Sequence, residues 1–290
     1  MDVKQLEEIR DHLVSIAHKA GDMITAAHPS TGSSGSKKNS VDLVTETDQA
    51  VEKMISTALA EKYPDYSFMG EETYKPGDVL TDAPTFVVDP IDGTTNFVHS
   101  FPYACISLGF AVGRVPTVGV VYNPFTRTLY SGIKGHGAFL NETIPLPLNQ
   151  QPEPLKSLSD CLVCVEYGAD RSGNDYAVKT ETFTKLCTTK EKGGAMVHSI
   201  RSLGSAALNL CGVASGHLDV YWEAGCWAWD VCAGWCILNE AGGIMVDANP
   251  GNWEPKIEGR RYLAVRQGAG QKELAEEFWS YVQGKFDVGA

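Results

Sequence analysis

Asp89-Pro90-Ile91-Asp92-Gly93-Thr94-Thr95 sets two carboxylates three residues apart, around a proline and ahead of a glycine, behind the β-branched and aromatic run Thr85-Phe86-Val87-Val88. A strand that delivers Asp89 to its carboxyl end and then turns aims both carboxylates at one point. Like charges held that closely repel, and a hard divalent cation with oxygen ligands is their natural partner. The turn also frees the Ile91 carbonyl as a neutral oxygen ligand. Gly93-Thr94-Thr95 opens a helix whose unpaired N–H groups suit a phosphate. The same residues equally fit a plain turn in which Asp92 caps the helix, so on spacing alone both readings stand.

Two further acidic positions favour the metal. Glu71 and Glu72 follow the strand-like Tyr66 to Met69, and adjacent residues on a strand point to opposite faces, so one of the pair faces a shared cavity and Glu72 is expected in solvent. Trp229-Asp230 opens an apolar helix, whose positive end lies beside the Asp230 carboxylate.

These residues need elements to position them. Leu6, Ile9, Leu13, Ile16, Ala17, Ala20 and Ile24 recur at three and four and predict a helix ending near Pro29. A Ser/Gly-rich loop over residues 29 to 40 follows as a connector, and a second helix runs from about Asp48 until Pro64 stops it. Between Tyr103 and Leu140, strand-like pieces punctuated by Gly, Pro and Asn predict an antiparallel meander. The second half alternates. Strands are expected at 161–167, near 197, and at 218–222, 244–246 and 262–265, with helices near 175–188, 203–214, 230–240 and 271–282. Two sheets layered with helices follow, the halves dividing at residues 1–150 and 151–290 but forming one functional unit.

Composition narrows the partners. Among 290 residues, 24 Lys and Arg stand against 36 Asp and Glu, a net charge of −12, and no basic run exceeds Lys37-Lys38, which argues against nucleic acid. The N-terminus lacks an apolar signal core and no stretch of about 18 apolar residues occurs, so a cytoplasmic protein without membrane contact is expected. Eight cysteines diluted through a long chain read as free thiols, and Cys161-x2-Cys164 lacks the second pair that a zinc site needs.

Gly70-Glu71-Glu72-Thr73, then VVDPIDGTTNF at 87–97, then WDVCAG at 229–234, in that order and with these gaps, resemble the inositol monophosphatase family of metal-dependent phosphomonoesterases, in particular its fungal-type members. Supporting stretches are VDLVTETDQAVEKMI at 41–55, FPYACISLGFAVG at 101–113, RSLGSAALNLCGVASG at 201–216 and NEAGG at 239–243, so the likeness spans nearly the whole chain. It implies an α/β (α+β) fold layered αβαβα, with an antiparallel-rich N-terminal half. It further implies metal ligation by Glu71, Asp89, the Ile91 carbonyl, Asp92 and Asp230, with two or three Mg²⁺ ions. Four carboxylates carry −4, and those ions offset them while leaving positive charge for a phosphate dianion.

Under the same resemblance Glu71, Thr94 and Asp48 are the catalytic set, activating a water that attacks phosphorus in line. Asp92, Gly93, Thr94, Gly204, Ala206, Glu223 and Asp230 bind substrate, with Glu223 and the Ala206 N–H on ring hydroxyls. Lys37 aligns with a family lysine near the metals, and Gly168-Ala169-Asp170-Arg171 departs from a Ser-containing pattern. The implied activity is hydrolysis of myo-inositol monophosphate by a lithium-sensitive homodimer, with a small phosphate ester as the partner. Alternatives are a 3′-phosphonucleotide, sugar phosphate or histidinol phosphate esterase, a quinate-associated member, and a catalytically silent metal-binding scaffold.

Overall fold

The computed structural model describes residues 1–27, 35–36, 43–44 and 46–288; Lys37 and all of the expected Ser/Gly loop except Gly35-Ser36 lie outside these. The chain opens with α1 (Val3–Ala26), whose Asp2 and Gln5 form a reciprocal capping box and whose apolar stripe from Leu6 to Ile24 is buried as the periodicity predicts. A two-residue antiparallel pair, β1 (Gly35–Ser36) and β2 (Leu43–Val44), precedes α2 (Glu46–Lys62). Next come β3 (Ser67–Gly70), β4 (Thr85–Asp92) and the single turn α3 (Thr94–Val98). The meander is β5 (Cys105–Val112), β6 (Val115–Asn123), β7 (Thr128–Ile133), β8 (Ala138–Leu140) and β9 (Ile144–Pro145).

β3 to β9 form a seven-stranded sheet in chain order, parallel only between β3 and β4. β4 runs farther than expected, through Pro90 to Asp92. Its register against β5 shifts between Asp89 and Asp92, and the irregularity accommodates a proline that cannot donate to the ladder.

The second half consists of β10 (Leu162–Val165), α4 (Asn174–Cys187), β11 (Ser199–Arg201), α5 (Ala206–Ser215), β12 (Val220–Ala224), α6 (Ala228–Glu240), β13 (Ile244–Val246), β14 (Arg261–Val265) and α7 (Gln271–Tyr281). Its sheet is ordered β11-β10-β12-β14-β13, with β10 parallel to β11 and β12 and the other pairs antiparallel. α5 starts three residues later than its apolar pattern suggests, because Gly204 adopts φ +81° and Ser205 caps the helix by accepting the Leu208 N–H.

Side-chain alternation assigns the layers. Val88, Ile106, Leu108, Phe110, Val118 and Val120 pack with α1 and α2 on one face of the large sheet. The opposite face meets α5 and α6, which also cover Cys164, Tyr221, Tyr262 and Ala264 of the small sheet. The outer face of that sheet, including Val163, Val165, Val220 and Trp222, packs with α4 and α7. The order is therefore α1/α2, large sheet, α5/α6, small sheet, α4/α7, the expected αβαβα layering. Glycines on β5, β6 and β7 flatten the face under α6, and a Cβ built on Gly119 would stand 2.2 Å from the Ala233 carbonyl oxygen. All eight cysteines are free, seven of them buried, and no described helix is long and apolar enough to cross a membrane.

Candidate metal and phosphate site

Parallel pairing of β3 with β4 puts Gly70 beside Val88, so Glu71 leaves β3 next to Asp89, its N–H donating to Val88 O at 3.1 Å. Pro90 and the shifted register then bring Asp92 round, and the Ile91 N–H donates to Asp89 Oδ1 at 2.9 Å. The fourth carboxylate arrives from the other half. Asp230 sits in the first turn of α6 and accepts the Trp227 N–H at 2.6 Å, beside the positive helix end. Asp89, Asp92 and Asp230 offer carboxylate oxygens that all lie within 4.8 Å of one another. Glu71 joins them through a hydrogen bond with Asp89.

Electrostatics mark the cluster as built for cations. Burial, and then the charges of Glu71, Asp92 and Asp230, push Asp89 well above the usual carboxylate range. Asp230 is raised well above it too, first by burial and then by Asp92 and Glu71. Burial lifts Asp92 to about 6 although the Ser205 hydroxyl and the Ala207 and Ala206 N–H groups favour its anion. An all-oxygen donor set, buried or half-buried and mutually repelling, fits a hard divalent ion and gives no reason for a softer one.

Asp92 is the best-anchored member. Ser205 Oγ donates to its Oδ2 at 2.6 Å and the Ala207 N–H to the same atom at 2.7 Å, which ties the β4 end to the start of α5. The Ala206 N–H thus belongs to a backbone run turned toward Asp92. Next in sequence, Gly93 takes φ +91° and caps α3; a Cβ there would meet the carbonyls of Gly204 and Tyr103 at 3.0 Å, so only glycine lets the two loops close up. Thr94 Oγ1 lies 3.1 Å from Asp48 Oδ1 and 3.0 Å from the Ile91 carbonyl, and its single proton serves those two acceptors. Asp48 is buried on α2, and the Ile91 oxygen keeps a second lone pair for a cation.

Glu223 lies on β12 at the far side of the α5 loop. Its Oε2 accepts the Tyr221 hydroxyl in a very short bond, and burial, followed by the nearby Glu166, pushes it up to about 7. Gly204 sits between Glu223's sheet and the metal turn, its N–H donated to Glu166 at 2.8 Å. Glu72 differs from expectation: it is half-buried and its N–H donates to the buried Glu52 at 2.7 Å, because α2 passes directly behind this turn.

Several contributors were not visible in the sequence. Asn96 Nδ2 donates to both Tyr103 O and Leu203 O at 2.7 Å, joining the metal turn to the α5 loop as well as supporting the turn itself. Tyr74 packs on Trp227 and Trp229 at 5.2 and 5.1 Å, holding the Glu71 turn against the start of α6. The Ser205 cap was readable as a serine ahead of an apolar run; its bond to a residue more than a hundred positions earlier was not.

Comparison with known proteins agrees with this arrangement. The inositol monophosphatase family model matches residues 5–283. Inositol monophosphatase 2 of Saccharomyces cerevisiae is 46% identical over 291 residues, covering 97% of both chains. The quinic acid degradation cluster protein x of Neurospora crassa is 38% identical over 323 residues, covering 96% of this chain and 95% of the relative. Among solved structures, inositol monophosphate-bound SaIMPase-II of Staphylococcus aureus superposes with a TM-score of 0.70 at 25% identity, covering 95% of this chain and 93% of that one.

Proposed function

Since the chain belongs to the inositol monophosphatase family and is a phosphatase, we propose that it hydrolyses myo-inositol monophosphate to inositol and phosphate at the Asp89, Asp92, Asp230 and Glu71 cluster, with two or three Mg²⁺ ions. The observation that carries this is the convergence of buried Asp89 and Asp92 with half-buried Asp230 and Glu71, carboxylates that destabilise one another, beside a Thr94–Asp48 hydrogen bond. Glu71, Asp89, the Ile91 carbonyl, Asp92 and Asp230 would hold the ions. When bound, magnesium offsets the carboxylate charge, acidifies a water and stabilises the departing ester oxygen.

The chain's own groups do the rest. Thr94 donates its proton to Asp48, which leaves its oxygen to accept a hydrogen bond from the attacking water. Glu71 accepts that water's proton as the water oxygen bonds to phosphorus and the phosphorus–ester oxygen bond breaks; the departing alkoxide takes a proton from a solvent water to give the alcohol, and Glu71 returns its own proton to solvent. Gly93 and Thr94 present backbone N–H groups to the phosphate. Glu223 and the Gly204–Ala206 segment face the alcohol, where a carboxylate suits the donor array of vicinal hydroxyls. A lithium-sensitive homodimer in the cytoplasm completes the reading.

Glu71→Gln tests it. Phosphate release should fall by at least two orders of magnitude while thermal stability holds, and unchanged turnover would remove Glu71 from the mechanism. Similarity to the Neurospora protein favours a second reading, a phosphate ester tied to quinate use. A panel of inositol, sugar, nucleotide and shikimate-type phosphate esters assayed for phosphate release separates the two.

A further inference from the structure

Glu166 has no part in the chemistry above, yet it gathers donors from Ser202, Leu203, Gly204 and Asn209. It follows β10 directly, is buried, and its N–H reaches Trp222 O on β12 at 3.3 Å. Oε1 accepts the Leu203 N–H at 2.5 Å, the Gly204 N–H at 2.8 Å and Asn209 Nδ2 at 3.1 Å. Oε2 accepts Ser202 Oγ at 2.7 Å, and the Cys164 thiol lies 3.8 Å from Oε1. One side chain therefore receives three consecutive residues of the segment joining β11 to α5, together with a side chain from α5 itself.

The far side of the same segment is held by the metal turn, through Asn96 on Leu203 O and Asp92 on Ser205 and Ala207. Residues 202–207 are thus stretched between two carboxylates. Asp92 fixes the downstream end and, through it, the metals. Glu166 fixes the upstream end, which contains Gly204. Only donors point at Glu166, and a carboxylate is the side chain that accepts everywhere.

It also stands close enough to Asp92 and Glu223 to oppose the ionisation of both.

We propose that Glu166 is a positioning residue for the alcohol half of the substrate, fixing Leu203 and Gly204 on the side of the site that Glu223 shares, so that these groups stay arranged to take a polyol. This rests on the polyol reading above. The anchor sits upstream of the Asp92 contacts, so its loss should loosen the groups that face the ring and leave those that face the phosphate in place.

The test is steady-state kinetics of the magnesium-loaded full chain and its Glu166→Ala, Glu166→Gln and Ser202→Ala variants, using inositol monophosphate and phenyl phosphate, which carries no hydroxyl. E166A should raise KM for the inositol ester at least tenfold while KM and kcat for phenyl phosphate stay within threefold. E166Q, which keeps an oxygen for Leu203 and Gly204, should recover most of that loss. S202A, which removes one donor and leaves the backbone anchor, should raise the same KM about threefold and carries the test if E166A does not fold. An unchanged KM in folded E166A or in S202A, or equal losses on both esters, would overturn the assignment. Wild-type protein that ignores inositol monophosphate would refute the substrate reading alone; Glu166 is then judged by amide exchange at Leu203 and Gly204, which should quicken at least tenfold in E166A, unaltered protection counting against it.

Discussion

Gly119→Ala should damage catalysis from a position that touches neither metal nor substrate. Gly119 lies mid-β6 on the face covered by α6, and an added Cβ would stand 2.2 Å from the Ala233 carbonyl oxygen and 2.9 Å from its carbon. Nonbonded carbon and oxygen need about 3.2 Å or more, so helix and sheet must part by about 1 Å. Both atoms belong to backbone, and no rotamer change relieves the clash. Ala233 is less than one turn beyond Asp230, so a displacement of α6 there moves the carboxylate that must stay within 4.8 Å of Asp89 and Asp92. Overpacking of this kind costs about 1–3 kcal/mol, and a 1 Å misplacement at a reacting centre costs on the order of 10²-fold in rate. Thermal melting and kcat for G119A should be compared with Val118→Ala, one residue away and buried on the opposite face against α1 and α2. V118A should lose about 2 kcal/mol of stability with kcat within about twofold. If the two variants lose stability alike and G119A keeps wild-type kcat, the rigid coupling of α6 to the sheet is wrong.

Metal removal should cost stability at neutral pH, because four carboxylates are then left to repel or to take up protons. Magnesium at about 100 times its Kd should contribute about 2.7 kcal/mol and raise Tm by roughly 5–10 °C over EDTA-treated protein, with no such gain in Asp89→Asn, as calorimetry can check. Glu223 gives a pH signature. Raised to about 7 by burial, with Glu166 opposing and Tyr221, Lys179 and Cys226 favouring its anion, it contributes stability that is full below its unfolded value near 4.5 and lost as pH climbs through about 7. Its carboxylate form, which accepts ring hydroxyls, grows over the same interval. KM for inositol monophosphate should therefore fall between about pH 6 and 8, and Glu223→Gln should flatten that trend; a flat wild-type profile would count against a direct contact.

Much of the site was legible because its ligands are local or carry their own context. Asp89 and Asp92 share one turn, and Asp230 announces itself by opening an apolar helix. Periodicity likewise placed α1, α2 and the meander to within a few residues. What the sequence hid has a common physical form, since every missed element is a contact between distant segments. Ser205 finds Asp92 across 113 positions, Asn96 finds Leu203 across 107, and Tyr74 meets Trp229 from the opposite half of the chain. Local propensity misplaced the α5 start for the same reason. Leu203 and Gly204 follow a helical apolar pattern, but their N–H groups are taken by Glu166 from another strand, and tertiary hydrogen bonds outweigh a propensity of a few tenths of a kcal/mol per residue.

The middle layer explains why an acidic cluster that opposes folding persists. Asp89 and Asp92 lie on β4 and Glu71 directly follows β3 of the same sheet, while Asp230 belongs to a helix packed against it. Neither element alone makes a four-carboxylate site. α6 can approach closely only because glycines on β5, β6 and β7 leave room, and α5 can grip Asp92 only because Gly93 and Gly204 allow their loops to touch. Besides the Ile91 N–H on β4, the donors that offset the repulsion are the Ser205 hydroxyl and the Ala207 and Trp227 N–H groups at the starts of those two helices, available without breaking any helical bond. The helix starts that anchor the carboxylates are thus the ones that bring them together, and a substitution that frees either start should disperse the charges and disarm the site in the same step.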